Sequence, residues 1–105
     1  MLRIYDDIVS LLTDLRGPIA AVQRHDADLA RQLRRAATSV LLNVAEGSGV
    51  RAGNRRQRYH TALGSALEVR ACLDAGAALG YHGALDPTTA ARLRKVIGTL
   101  VRLVR

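Results

Sequence analysis

The sequence predicts an all-α protein: an antiparallel up-down-up-down bundle of four helices, formed by a single domain over residues 1–105. Three observations predict this fold. Hydrophobic residues recur at steps of three and four along four segments, which is the spacing of one helix face. Hydrophobic residues make up 49% of the chain without any Phe or Trp, so the core must be largely aliphatic. Only two prolines interrupt the sequence, and its length suits one domain.

The first helix is predicted over residues 2–24. Its apolar stripe consists of Ile4, Ile8, Leu11, Leu15, Ile19 and Val22. Pro18 lies within this stripe, and its ring removes one helical hydrogen bond, so a kink is expected there. A true break at Pro18 is the alternative, which the unbroken stripe disfavours.

The second helix is predicted over residues 27–46, with Asp26 as its N-cap because a carboxylate can accept hydrogen bonds from the first-turn amides. Its stripe consists of Leu29, Leu33, Ala37, Val40 and Val44. Leu41, Leu42 and Ala45 widen this stripe until little polar face remains. A helix of this kind is covered on several sides, and part of the cover is expected to come from another subunit.

A glycine-rich turn separates the second helix from the third, which is predicted over residues 55–79. Gly47 or Gly49 is expected to take the left-handed conformation that ends a helix, and Asn54 is expected to cap the next one. The stripe of the third helix consists of Tyr59, Ala62, Ala66, Val69 and Leu73.

The third helix also contains Gly64 and Gly76, each of which costs about 1 kcal/mol relative to Ala. Close approach of a neighbouring helix would offset this cost. The fourth helix is predicted over residues 87–104, because Asp86 and Pro87 suit the N-cap and the first helical position. Its stripe consists of Leu93, Ile97, Leu100 and Val104.

Polar residues follow one another at helical spacing beside the stripes of the second and third helices. They are Arg35, Ser39, Asn43 and Glu46 on the second helix and Ser65 and Glu68 on the third. If these helices pack antiparallel, the six side chains meet as a buried polar network that fixes the register, because an unpaired polar group costs about 1–3 kcal/mol. The alternative is that Glu46 and Glu68 form an acid-base pair or a metal site.

Motifs for catalysis, metals or cofactors are absent from the sequence. Neither Glu46 nor Glu68 has a His three residues on, as bundle metal sites that use Glu generally do. The histidines are scattered, and "GVRAG" lacks the Gly-Lys-Ser/Thr ending of a phosphate loop. We therefore expect no enzymatic activity and no cofactor.

Cys72 is the single cysteine, so no internal disulfide can form. The chain shows no signal peptide and no apolar run of roughly 20 residues that would cross a bilayer. These features predict a cytoplasmic protein without a membrane partner.

The net charge of +7 is concentrated in the middle of the chain, where residues 29–60 carry seven Arg against one Glu. The candidate nucleic-acid-binding residues are Arg51, Arg55, Arg56 and Arg58 around the start of the third helix and Arg92, Lys95 and Arg102 on the fourth. Without an aromatic platform, binding of RNA or DNA is expected to be directed to the phosphates. The alternatives are a solvated charged face, or a structural scaffold that binds a protein partner without nucleic acid.

The stretches "RRAATSVLLNVAEGSG" and "NRRQRYHTALGSALEVRACLDAGAALGY" resemble the four-helix bundle proteins encoded within intervening sequences of bacterial 23S ribosomal RNA genes. The matching block covers about residues 29–81 and comprises Arg35, Ser39, Asn43, Glu46, Gly47, Gly49, Gly64, Ser65, Glu68 and Leu79-Gly80-Tyr81. The sequence departs from the common pattern in two places. Val50 separates Gly49 from Arg51, where the family usually has Gly directly followed by Arg, and Gln57 stands where Glu is common.

The resemblance implies a bacterial protein without enzymatic activity that assembles into a homo-oligomeric ring, typically a pentamer. Family kin include the accessory protein of diversity-generating retroelements, which associates with a reverse transcriptase and with nucleic acid. The expected function is therefore a basic oligomeric bundle that binds RNA or DNA, accessory to a nucleic-acid enzyme.

Overall fold

The computed structural model describes residues 3–49 and 54–105, and most of these residues are helical. The helices are α1 (Arg3–Asp14), α2 (Arg16–Gln23), α3 (Ala27–Gly47), α4 (Arg55–Ala78) and α5 (Pro87–Val104). The described part of the chain contains no strand, so the predicted all-α class is confirmed. Because α1 and α2 are the two halves of one bent helix, the fold consists of four long helices.

The bend between α1 and α2 lies at Leu15, three residues before the predicted position. Helical hydrogen bonds continue across it, since the amide of Leu15 donates to Leu11 O at 2.9 Å and that of Ile19 donates to Leu15 O at 2.9 Å. Pro18 has no amide hydrogen for the carbonyl of Asp14 one turn earlier, so this helical hydrogen bond cannot form. The missing bond coincides with the interruption at Leu15, and the helix continues beyond it.

Two of the three predicted N-caps are confirmed. Asp26 accepts from the amide of Leu29 at 2.9 Å, and Asp86 accepts from the amide of Thr88 at 2.8 Å. Asn54 makes no capping bond. Its backbone angles, φ −103° and ψ 0°, are not the extended ones that aim an N-cap side chain at the first-turn amides.

The prediction that Gly47 or Gly49 ends α3 in a left-handed conformation is wrong. Gly47 is the last residue of α3, and Ser48 follows with right-handed angles. Among the described residues, Gly80 is the one with positive φ, at +79°. There Gly80 N donates to Ala77 O at 3.0 Å and Tyr81 N to Gly76 O at 2.8 Å, which is the Schellman ending of α4.

Gly47 instead permits a close contact between the end of α3 and α4. A side chain at this position would place its Cβ 2.6 Å from Cε1 of the buried Tyr59 ring. Gly76 has a similar role, because a Cβ there would lie 2.9 Å from the His82 ring and 3.2 Å from Val22. Gly64 has open space around it. The predicted close approach is therefore found at Gly76 and not at Gly64.

The core is aliphatic apart from Tyr59 and Cys72 and lies between all four helices, with the most extensive contact between α3 and α4. Every residue predicted for the stripe of the third helix is buried: Tyr59, Ala62, Ala66, Val69 and Leu73. Of the residues that widen the stripe of α3, Leu42 is 54% exposed. None of the helices described here is both long and apolar enough to cross a membrane.

Candidate nucleic-acid interface

The contacts between α3 and α4 show that these two helices run antiparallel. Arg58 lies 3.0 Å from Glu46, and the hydroxyl oxygens of Ser39 and Ser65 lie 2.8 Å apart. Residue numbers thus fall along α3 as they rise along α4. The end of α3 therefore lies against the start of α4.

Three of the six predicted network residues form a hydrogen-bonded chain between these helices. The side-chain amide of Asn43 donates to the carbonyl oxygen of Ser39 at 2.9 Å and lies 3.1 Å from its hydroxyl oxygen. The Ser39 hydroxyl bonds in turn to Ser65. All three side chains are half-buried, and no buried side-chain polar atom of the described residues lacks a partner.

The prediction of a fully buried network is wrong for the charged members, because Arg35, Glu46 and Glu68 are exposed in the single chain. Burying an ion is costly unless it is well paired, and these side chains lie on the solvent side of the ridge. Glu46 pairs with Arg58 there, with side chains 55% and 46% exposed. The register set by Glu46–Arg58 and Ser39–Ser65 places Glu68 level with about residue 36 of α3, roughly 15 Å along the axis from Glu46, so the two do not form a carboxylate pair.

Two adjacent arginines at the start of α4 bind the ends of two other helices. Arg55 donates from Nε to Gly47 O at 3.1 Å and from Nη2 to Gly49 O at 3.4 Å, at the end of α3. Arg56 donates from Nε to Val104 O at 2.8 Å, at the end of α5. Helix ends leave carbonyls without partners and carry partial negative charge, so both contacts satisfy a need of the fold.

These contacts bring basic residues of α4 and α5 to one end of the molecule. The exposed arginines there are Arg55, Arg56, Arg58, Arg102 and Arg105, which we call the basic end. Within the described residues, Glu46 is the one carboxylate paired with a member of this group. Arg51, also predicted to bind nucleic acid, lies outside the described residues.

Arg92 and Lys95 do not belong to the basic end. Arg92 pairs with Asp14, with side chains 28% and 25% exposed, and Lys95 lies 3.2 Å from Asp7. Both pairs connect α5 to α1. Both cations were predicted to contact nucleic acid, and the excess of Asp in the first 28 residues was the signal that carboxylate partners exist for them.

A second group of arginines borders a shallow hollow over the outer side of α3. Its lining includes Arg34, Arg35, Leu42, Asn43 and Glu46 of α3 and Arg58 of α4, and we call it the α3 hollow. Arg34 was not among the predicted site residues. Its position beside Arg35 in the basic middle of the sequence was the available signal.

Cys72, His25 and His82 contact other parts of the fold, whereas His60 is exposed. Burial and the charge of Glu68 raise the pKa of the Cys72 thiol. Both ring nitrogens of His82 lie near carbonyl oxygens, those of Leu73 at 2.8 Å and Gly83 at 2.7 Å. His25 stacks on Tyr81 with ring centres 5.1 Å apart. In the part of the chain that the structure describes, no three His, Cys, Asp or Glu side chains gather as metal ligands would.

The fold and surface thus define a small, basic, four-helix protein with a polar contact between its two central helices. The family model of the 23S rRNA-intervening sequence protein matches residues 2–103. The chain belongs to this family, which confirms the resemblance found in the sequence. Neither the comparison with curated proteins nor that with solved structures gave a match.

Proposed function

We propose that this protein is a non-enzymatic basic bundle that binds RNA or DNA through its phosphates, as an accessory to a nucleic-acid enzyme such as a reverse transcriptase. The observation that carries the proposal is the basic end, where four exposed arginines of α4 and α5, together with Arg105 directly after α5, share one end of the molecule and one carboxylate pairs with them. Phosphate groups are the natural partners of such a cluster, because guanidinium groups bind them with two parallel hydrogen bonds.

Arg55 and Arg56 suit this role although both already contact carbonyl groups. A guanidinium group has five N–H donors, of which Arg55 uses two and Arg56 one in the contacts described above. The remaining donors can face a ligand. Because helix ends already hold these side chains in place, binding a phosphate would cost less side-chain entropy than it would at a mobile arginine.

The proposed topology is the up-down-up-down bundle. Its support is the order of contacts along the helices: α3 and α4 run antiparallel, and Arg56 places the start of α4 beside the end of α5. The pairs Asp7–Lys95 and Asp14–Arg92 likewise reverse the residue order between α1 and α5. In this arrangement the basic end includes the end of α3, the start of α4 and the end of α5.

We further propose a homo-oligomeric ring, with a pentamer favoured by the resemblance. The support is an exposed stripe on the outer side of α4 that consists of Gly64, Leu67 and Ala71. Leu67 is 39% exposed, and the open space at Gly64 leaves room for a helix of a second copy. A ring would repeat the basic end around its axis, so weak phosphate contacts would act together.

The test is binding of RNA and DNA oligonucleotides across a salt series. Log affinity is expected to fall linearly with log salt, and R58A/R102A/R105A is expected to reduce the slope by about 2, since each single-strand phosphate contact contributes about 0.7. The matched control is R16A/R24A/R70A, which removes the same charge from exposed positions on α2 and in the second half of α4. Absence of binding at low salt, or equal losses in the two variants, would contradict the proposal.

A structural scaffold for a protein partner is the second candidate, and the exposure of Leu79 favours it. This side chain is 62% exposed at the end of α4, next to the turn that holds Tyr81 and His82. A scaffold would retain one protein partner after nuclease treatment and lose it in L79E. Loss of every partner on nuclease treatment would favour the first candidate.

A further inference from the structure

The α3 hollow has cations at both of its ends. Arg34 and Arg35 lie at one end, and Arg58 lies at the other beside Glu46. Twelve residues separate Arg34 from Glu46 along α3, which corresponds to roughly 18 Å at the helical rise. A single small anion cannot reach both ends. The hollow therefore suits an elongated ligand that carries several negative charges.

Its length agrees with a short stretch of nucleic-acid strand. A stacked strand advances about 3.4 Å per phosphate, so roughly 18 Å corresponds to about five nucleotides, and to fewer when the strand is extended. Binding modules for single strands contact a comparable number of nucleotides, on the order of 4 to 16.

The middle of the hollow is apolar at its surface. Leu42 lies between the two cationic ends, and 54% of its surface is exposed. A single strand can bury part of a base or a sugar against such a surface by apolar contact, whereas a duplex keeps its base faces stacked inside. The combination of separated arginines and an exposed leucine thus favours a single strand over a duplex.

The neutral polar groups of the hollow are largely occupied by the protein itself. The Asn43 amide is directed at Ser39, and the Thr38 hydroxyl donates to Arg34 O at 2.8 Å. Base-specific hydrogen bonding from these groups is therefore not expected. The arginines remain as donors, and they would contact phosphates without reading the sequence.

We propose that a single strand of RNA or DNA lies along the α3 hollow, with phosphates on Arg34 and Arg35 at one end and on Arg58 at the other. This inference rests on the proposed function, because Arg58 joins the hollow to the basic end. Glu46 is then an internal competitor: it occupies Arg58 in the free protein and repels an incoming phosphate. It lowers affinity and keeps Arg58 in position between binding events.

The experiment compares R34A/R35A with the equally charged control R24A/R70A, using oligo(dT) and oligo(rU) of about 10 nucleotides and a DNA duplex of similar length. For the single strands, R34A/R35A is expected to weaken binding about tenfold at low salt and to reduce the salt slope by about 1.4. For the duplex, R34A/R35A is expected to reduce the affinity no more than R24A/R70A does. Because Arg34 also donates to Gln23 at 2.7 Å, R34K/R35K is measured as well and should keep most of the affinity.

A variant of Glu46 tests the same site in the opposite direction. E46Q is expected to tighten single-strand binding about two- to fivefold at low salt, since it removes a repulsive charge. In an R58A background the gain should largely disappear, because the competition for Arg58 no longer exists.

The outcomes separate this inference from the proposed function. One outcome is that the wild type binds, that R58A/R102A/R105A weakens binding, and that R34A/R35A has the same affinity as its control. In that case the proposed path of the strand is wrong, while binding by the basic end is still supported. Equal losses for single strand and duplex also overturn the path, and so does dissociation of an oligomer by R34A/R35A, which would make the hollow an interface between copies. Absence of any binding by the wild type removes both proposals.

Discussion

The hydroxyl oxygens of Ser39 and Ser65 lie 2.8 Å apart, and this contact joins the two helices that share the largest interface. Ser39 also lies within hydrogen-bonding distance of the Asn43 amide, so one hydroxyl serves residues on both helices. A shift of α3 against α4 would break the Ser39–Ser65 bond, which crosses between the helices inside a half-buried contact. The chain of polar groups therefore selects one register for a pair of helices whose core side chains are mostly small.

Replacing Ser39 with Ala is expected to lower the free energy of unfolding by about 1–2 kcal/mol, because Ser65 and Asn43 both lose a partner. S65A is expected to cost about 1 kcal/mol, and S39A/S65A less than the sum of the two. Urea unfolding measures these values. T13A, whose hydroxyl is exposed, serves as control. Strict additivity would mean that the two serines do not act together.

Gly47 is tightly packed and Gly64 has open space around it, so replacing each with Ala is expected to change the free energy of unfolding in opposite directions. G47A would place a Cβ 2.6 Å from the buried ring of Tyr59, and we expect it to destabilise the protein by about 1–3 kcal/mol. G64A meets nothing within 4 Å in the single chain, so at a concentration where light scattering finds only monomer it should stabilise α4 by up to about 1 kcal/mol. Thermal unfolding by circular dichroism distinguishes the two. A neutral G47A would show that Tyr59 can move aside.

The ion pair between Asp14 and Arg92 is expected to contribute more than an exposed pair of the same residue types. A double-mutant cycle of D14N and R92Q should give a coupling of about 1 kcal/mol. The matched cycle on Asp28 and Arg31, whose side chains are 76% and 64% exposed, should give about 0.3 kcal/mol. Equal couplings would mean that solvent screens both pairs alike.

The thiol of Cys72 should react slowly with a disulfide reagent such as dithionitrobenzoate. Burial, and after it the charge of Glu68, raise the pKa of this thiol, so less thiolate is present at a given alkaline pH. E68Q removes one of these causes and should increase the rate modestly below the pKa. Reaction rates across pH 7–10 in native and unfolded protein provide the measurement. A rate close to that of unfolded protein would show that the side chain is accessible.

Leu67 on the outer side of α4 is expected to lie in the contact between copies. L67E should reduce the mass determined by light scattering to that of a smaller species, because a carboxylate would be buried without a partner. V9E is the control, since Val9 has a similar exposure of 41% but lies on α1. A monomeric wild-type protein, or the same effect of both variants, would contradict the proposed ring face.

The sequence predicted the fold well because its signals are local. The spacing of apolar residues identified the buried face of each helix, and the caps at Asp26 and Asp86 depend on amides two or three residues away. Apart from the cap at Asn54, which its own backbone angles prevent, the wrong predictions concern features that depend on distant residues. Gly47 was predicted to be left-handed, but it is the last helical residue of α3, and the ring of Tyr59 on the next helix leaves no room for a side chain there.

Only part of the candidate site was predicted, because the signals in the sequence are local. The sequence located the polar contact of Ser39, Asn43 and Ser65, because their spacing places them beside the apolar stripes of two adjacent helices. It did not show that Arg92 and Lys95 are held by carboxylates of α1. An ion pair depends on which distant segment brings an opposite charge within about 4 Å, and no periodicity along the chain contains that information.

The sequence by itself determined four helices, their buried faces, two of their caps and an excess of positive charge, since each of these follows from residues within a few turns of one another. The tertiary structure decided which charges are available. It placed Arg55 and Arg56 on the ends of other helices, neutralised Arg92 with Asp14 and left Arg34, Arg35 and Arg102 exposed. The physical reason is that electrostatic and hydrogen-bonding partners are selected by distance in space, which only the packing of helices fixes.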